Sequence, residues 1–457
     1  MLNQFNTSLW GDEAFSAVLS KNQPLEIIKI IIRDTSPPLY NLTLHFWYQI
    51  FGISEVSIRA LSFTYFVVTI LFVYLIAKLL WGKKTGIISA ILTFLNPFFF
   101  TYAFEGRMYS ILALGVTSST YFFLKLIKKE EKKKKGASSS LALVVAYALS
   151  VDWALYSHHF AIFAVFLQAL WMIFEFLFGN RAGAKKVFRG LVIAAILYLP
   201  WVYPLYRQTK MVTGGFWLGK PTLIDLRNLI YEYLAEGIKN PVVKLPFVNK
   251  TLGQTALYLI FAILILRKWH KEIKKSFFIL SFFIFPIIIT WVISQKMQSI
   301  FFNRYLLYTI PAAMILVSSN RRKISTPIII AVIILFGIID YNYFFHPTKK
   351  PFSELANYVK ETKTKDDFLI NWNSSAHHLW ESKFYGLEAP IYNPSESLPY
   401  YVGTAQMTKD DVIKEIPNVK RIGVITSGSE DEIKIKNYSI NEVKKFGELK
   451  IVWLKKK

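Results

Sequence analysis

About ten long apolar runs constrain this chain more than any other feature. They fall near 57–81, 85–104, 108–127, 139–157, 160–178, 188–206, 252–267, 276–295, 304–319 and 325–345. Crossing the roughly 30 Å hydrocarbon core of a bilayer takes about 20 apolar residues in a helix. A soluble chain of 457 residues would instead divide into domains, with its apolar residues spread over helix faces. Nothing in the bilayer satisfies an open backbone, so the runs must be helices. The expected fold is an α-helical polytopic membrane protein with about ten transmembrane helices. Pro97, Pro200, Pro286 and Pro311 are compatible with it, because neighbouring helices re-satisfy freed carbonyls.

The connectors between the runs alternate in charge. One set holds Lys83 and Lys84; Lys128, Lys129 and Lys132 to Lys135; Arg181, Lys185, Lys186 and Arg189; Arg267, Lys268, Lys271, Lys274 and Lys275; and Arg321, Arg322 and Lys323. The other short connectors are nearly free of lysine and carry Glu105 and Arg107, then His158 and His159, then Lys296 and Arg304. The net charge of +24 therefore reads as an orientation signal rather than a nucleic-acid patch. The positive-inside rule places the lysine-rich set in the cytoplasm and the second set at the external face of the cell membrane. A reporter fused after Lys134 is expected to read cytoplasmic and one after Lys457 external. Both on one side would overturn the ten-span topology.

The ends of the chain differ from the middle. Leu25, Ile28, Ile31 and Ile32 share one face of a short helix lying in the interface, which Ser36-Pro37-Pro38 stops. Leu39 to Phe51 follows at headgroup level, rich in Tyr, Trp and His. Residues 207–250 form a long external loop with Trp217, an amphipathic helix at 222–236, and Pro241 and Pro246. Beyond 350 the composition turns mixed. Strand-like runs at Phe368 to Asn371, Ile422 to Thr426 and Leu449 to Leu454 alternate with helical stretches at 352–362, 375–384 and 408–416. That alternation predicts a small α/β domain, external by the parity of the spans. The expected division is a membrane domain over 1–349, with an external first loop over 1–56, and a C-terminal domain over 350–457.

The chemistry sits in three charged knots expected at one membrane face. The first is Asp12-Glu13 within Trp10-Gly11-Asp12-Glu13-Ala14-Phe15-Ser16, the second Glu105-Gly106-Arg107-Met108-Tyr109, the third Asn303-Arg304-Tyr305. Two adjacent carboxylates on an extended segment point apart, so one faces a reaction as general base and the other a partner. Arg107 and Arg304 are fork-shaped donors suited to phosphate oxygens, and Glu105 is placed to orient Arg107. A base with phosphate-binding arginines suggests transfer from a lipid-phosphate donor to a hydroxyl acceptor. Arg59 reads as a snorkelling residue. Asp152 is an intramembrane acid, whose bland reading is a hydrogen bond within the bundle. His158-His159 reads as acceptor contact or interface anchoring; adjacent histidines suit one metal ion poorly, so no metal ligands are assigned. The chain has no cysteine, which excludes disulfides, thiolate zinc sites and cysteine nucleophiles. Met1 to Trp10 has neither the basic nor the apolar region of a signal peptide.

These motifs, with Ser36-Pro37-Pro38-Leu39-Tyr40, Tyr156-Ser157-His158-His159-Phe160 and Arg304-Tyr305-Leu306-Leu307, resemble those of the polytopic GT-C glycosyltransferases. The nearest branch is the bacterial lipopolysaccharide and lipid A glycosyltransferase-like group, related to the protein O-mannosyltransferases. The resemblance covers the membrane part and is only general for the C-terminal domain. It implies inverting transfer of a sugar from a polyprenyl phosphate to a glycan, lipid or protein acceptor; it firmly implies no cofactor beyond that donor and leaves a divalent metal open. It makes Asp12 the base, Glu13 its neighbour and Glu105 the second-loop acid. Arg107 and Arg304, with Tyr305, would bind the donor phosphate, and Tyr109, Asp152, His158 and His159 would line the site. Members usually carry a transmembrane helix before the Asp-Glu motif, so the expectation here is a longer gene product or an exported N-terminus. The rival from another class is a multi-pass transporter or flippase, which needs ionisable residues near mid-bilayer.

Overall fold

The computed structural model describes residues 2–128, 137–235, 250–266, 272–319, 325–372, 376–394 and 398–457. Lys129, Lys132 to Lys135, Pro241, Pro246, Arg267, Lys268, Lys271 and Arg321 to Lys323 lie outside them. The chain forms two compact units. One comprises Ser36–Tyr40 and Ala60–Phe345; the other joins Met1–Thr35 and Asn41–Arg59 to His346–Lys457.

The larger unit is helical and apolar on its outside, with Phe178, Leu199 and Ile334 among its exposed side chains, as a bilayer-facing surface requires. Among the described residues six helices are long and apolar enough to span: Glu55–Trp81, Tyr109–Ile127, Ala161–Phe178, Arg181–Thr213, Ile273–Lys296 and Ser325–Phe345. Leu141–Ser157 and Thr255–Ile265 are shorter apolar helices. Two expected spans are broken rather than continuous. The run at 85–104 divides into Lys83–Phe94 and Pro97–Ala103, bent by 67°. Asn96 causes the break together with Pro97. Its side chain accepts from the Phe99 N–H at 3.0 Å, capping the second piece, and proline suits the first helical position. The run at 304–319 divides into Asn303–Leu306, a 3₁₀ turn at Leu307–Thr309, and Ile310–Ser318. The helix begun at Arg181 continues to Thr213 despite Pro200 and Pro204, so the expected loop at 207–250 starts later than its composition implied.

The smaller unit contains a six-stranded sheet. Its strands are β1 (Asp367–Asn371), β2 (Ile391–Tyr392), β3 (Val412–Ile413), β4 (Arg421–Thr426), β5 (Tyr438–Phe446) and β6 (Leu449–Lys456), in the order β3-β2-β1-β4-β6-β5. β1 runs parallel to β2 and β4, while β6 is antiparallel to β4 and β5. Both faces of the centre are buried, which is why β6 reads Ile451-Val452-Trp453-Leu454 without a polar gap. Leu369, Ile425, Ile451 and Trp453 pack on one face with Phe352, Leu355, Ala356 and Val359 of helix Phe352–Thr362. Ile370, Val424, Val452 and Leu454 fill the other. The helix expected over 408–416 is absent. Thr408 and Asp411 close a 3₁₀ turn at Lys409–Asp411, and Val412 and Ile413 then pair with β2.

Candidate active site

The Asp-Glu motif opens helix Gly11–Leu19, in the smaller unit. The two carboxylates differ sharply. Glu13 is fully buried, while Asp12 is half-buried in the same first turn. Arg59 grips Glu13 with both arms of its fork, Nε to Oε1 at 3.0 Å and Nη2 to Oε2 at 2.6 Å. Lys349 adds a third charged contact to Oε2 at 2.8 Å. The remaining Arg59 donors go to the carbonyls of Phe5, Thr7 and Ser8. Burial alone would raise the Glu13 carboxyl, but Arg59 and Lys349 outweigh it and hold the group well below the usual carboxylate range. Arg59, 0% exposed, is therefore no snorkelling residue: it lies 46 positions along the chain from Glu13 and fastens the segment leading into the motif.

Helix Ala376–Phe384, between β1 and β2, packs on the motif. The His377 ring stacks on Trp10 at 5.6 Å and lies against the Gly11 Cα, where a Cβ would stand 2.1 Å from Nδ1. Gly11 thus owes its place to a close approach rather than to backbone strain. Phe15 meets Trp380 edge-on at 5.3 Å, Leu9 N–H donates to the Tyr385 hydroxyl at 2.9 Å, and Ser8 and Ser353 share a hydrogen bond at 2.8 Å.

The other expected residues belong to the larger unit, and there the structure gathers them at one end. Glu105-Gly106-Arg107 is a turn between helices Pro97–Ala103 and Tyr109–Ile127, closed by Arg107 N–H donating to the Glu105 carbonyl at 2.7 Å. Tyr305 packs against His158 at 5.0 Å, Phe160 at 5.2 Å and Tyr109 at 6.4 Å. The Arg304 guanidinium lies over Phe302 at 4.7 Å and Tyr109 at 5.9 Å. Its planar group suits such faces. Three stretches remote in sequence thereby share one aromatic cluster.

His158 is buried and His159 half-buried, and the surroundings of both disfavour a charged ring. Burial, then the charges of His159 and Arg107, push His158 down to about 3; burial pushes His159 down to about 4, against the hydrogen bond it makes to Gln208. His158 Nδ1 accepts from the Phe160 N–H at 3.2 Å, so its proton rides on Nε2. His159 Nε2–H donates to Gln208 Oε1 at 2.8 Å, and Gln208 Nε2 donates to the Ser36 carbonyl at 3.2 Å, tying in the Ser-Pro-Pro stretch. Positive charge for an anion thus rests on the arginines.

Two residues here had no signal in the sequence. Glu232 accepts from Asn303 Nδ2 at 2.7 Å, and the Tyr233 hydroxyl donates to the Asn303 carbonyl. Both come from helix Leu223–Ala235, which reaches the Asn303-Arg304 knot only in three dimensions. The carboxyl oxygens of Asp152 and of Asp340 have no hydrogen-bond partner among the described residues. Among the described residues no three His, Cys, Asp or Glu side chains cluster as metal ligands.

Residues 35–203 match the dolichyl-phosphate-mannose-protein mannosyltransferase family. No curated protein sequence matches the chain. Among solved structures, ArnT from Cupriavidus metallidurans in the apo state is similar at a TM-score of 0.64 and 13% identity, over 99% of this chain and 94% of that one. The same protein bound to undecaprenyl phosphate gives 0.63 and 12%, over 98% and 95%. The archaeal oligosaccharyltransferase AglB from Archaeoglobus fulgidus, in complex with an inhibitory peptide and a dolichol-phosphate, gives 0.54 and 14%, over 93% of this chain and 66% of that one. In fold the chain is a polytopic helical membrane protein with a small sheet-bearing unit, similar over nearly its whole length to ArnT.

Proposed function

We propose that this protein moves a sugar from a polyprenyl-phosphate donor to a hydroxyl on a cell-envelope glycan, lipid or protein, at the external membrane face and with inversion. Asp12 takes the acceptor proton as its oxygen attacks the anomeric carbon. The bond from that carbon to the phosphate oxygen breaks, and polyprenyl phosphate leaves with the electron pair. Arg107 and Arg304 stabilise the charge it acquires, so no acid need protonate it. His158, neutral with its proton on Nε2, lines the donor side with Tyr305 and Tyr109. Glu105 orients Arg107.

The observation that carries this reading is the unequal fate of the adjacent carboxylates: Glu13 is consumed by Arg59 and Lys349, while Asp12 keeps partial exposure. That fits one structural acid and one working base. Similarity to ArnT, solved with undecaprenyl phosphate, supports the lipid donor. Asp152 and Asp340 would serve a transporter only if they lay at mid-bilayer. Each stands about one and a half turns, roughly 8 Å, from the end of its helix, which disfavours that alternative.

The test supplies labelled polyprenyl-phosphate sugars to membranes containing the protein and identifies what becomes labelled. No transfer from any such donor by folded protein would overturn the reading. Arg107→Ala is expected to weaken donor binding along with rate, and Arg107→Lys to rescue only part, because lysine keeps the charge without the fork. Unchanged donor affinity in Arg107→Ala would remove Arg107 from the phosphate site.

A further inference from the structure

A cavity lies at the opposite end of the helical unit from the Arg304 cluster. It has a volume of about 610 Å³ and sits among the ends of helices Glu55–Trp81, Tyr109–Ile127 and Ala161–Phe178 and the start of Ile273–Lys296. Tyr109 and Ile127 are the two ends of one 19-residue helix, so roughly 28 Å separates this cavity from the aromatic cluster. It is too far to belong to the transferase site.

Its walls are of two kinds. Leu79, Leu124, Phe178 and Phe278 supply apolar surface, and Phe178 is 77% exposed on the outer face of its helix. Lys128, Lys274 and Lys275 supply charge. Glu175 organises this end. Its Oε2 accepts from the Asn180 N–H at 3.0 Å, turning the helix end in over Gly179, and its Oε1 holds Lys274 at 2.7 Å. Lys275 donates to the Leu80 carbonyl and to Glu272, each at 3.1 Å. Lys128 is exposed and forms no ion pair among the described residues. An ammonium has three donors, so Lys274 and Lys275 keep capacity for an anion after these contacts. Cations outnumber carboxylates even with Glu272 counted.

We propose that this cavity binds one anionic phospholipid, its phosphate on Lys128, Lys274 and Lys275 and its acyl chains running out over Phe178. A phosphate ester with an apolar tail satisfies both kinds of wall, and the volume suits a headgroup. A free phosphate would leave the apolar wall and its exposed edge unused. The site is independent of the sugar-transfer reading.

The experiment counts retained lipids by native mass spectrometry after extraction and titration with phosphatidylglycerol or phosphatidylcholine. Wild type is expected to keep one phosphatidylglycerol, to prefer it over phosphatidylcholine, and not to release it to excess inorganic phosphate. The triple variant K128Q/K274Q/K275Q is expected to bind it ~10–100-fold more weakly, while K83Q/K84Q/K185Q, with the same loss of charge outside the cavity, binds as wild type. K128Q alone, at an exposed helix end, gives a several-fold loss and serves where the triple variant does not fold. Equal weakening in both triple variants would mean diffuse attraction to the bilayer. Release by inorganic phosphate would mean a free-anion site, and no retained phosphatidylglycerol in wild type would mean no site. Each of these overturns the proposal.

Discussion

Asp12→Asn is expected to lower turnover by ~10²-fold or more while the protein stays folded and binds donor. Asparagine is nearly isosteric but takes no proton at neutral pH, and position 12 is half-buried where its neighbour is fully buried. The measurement is transfer from saturating polyprenyl-phosphate sugar, with donor binding and membrane insertion checked in parallel. Full turnover in Asp12→Asn would take the base away from this residue. Glu13→Gln should fail in another way. An amide cannot receive the fork of Arg59 and the ammonium of Lys349 together, so that variant should lose stability and, with it, both binding and rate.

Arg59→Ala is expected to destabilise the smaller unit by about 3 kcal/mol, the low end of the cost of leaving one partner of a buried pair, because Lys349 still reaches Glu13. It would also strand the carbonyls of Phe5, Thr7 and Ser8. Lysine should rescue little, since one ammonium cannot reach both Glu13 oxygens and three carbonyls. The readout is thermal unfolding in detergent, followed at a tryptophan signal. Unchanged unfolding in Arg59→Ala would show that the pair contributes nothing. The pH dependence has a definite sign. The folded Glu13 is held below its unfolded value near ~4.3, so its contribution is complete above that value. It is lost as pH falls through the folded value.

Much of the membrane unit was legible because length and apolarity are local properties. Each expected span has a helix or helix pair in its place, and the breaks occur where Asn96-Pro97 and Pro311 give a local reason. β1, β4 and β6 were legible because a strand buried on both faces must be apolar throughout. β5 was not. Asn441, Glu442, Lys444 and Lys445 are polar and exposed, and only pairing with β6 across the turn at Gly447 makes them a strand. The stretch at 408–416 forms no helix because the cap made by Thr408 and Asp411 fixes only one turn. In the candidate site, residue types were readable and partners were not. The sequence separates Glu13 from Arg59 and Lys349, and Asn303 from Glu232, by distances that no periodicity bridges. Arg59 was misjudged for that reason, since the charge it meets is invisible from its own helix.

The Glu13–Lys349 contact also sets a clock. Roughly 340 residues separate the two, and at ~5–20 residues per second the ribosome needs roughly 20–70 s to supply the lysine after the glutamate. Through that interval helix Gly11–Leu19 also lacks His377, Trp380 and Ser353, which come later still. The segment bearing Asp12 therefore completes its surroundings only when nearly the whole chain has been threaded into the bilayer. A nascent or prematurely terminated chain that stops short of those partners would carry the residue but not its setting.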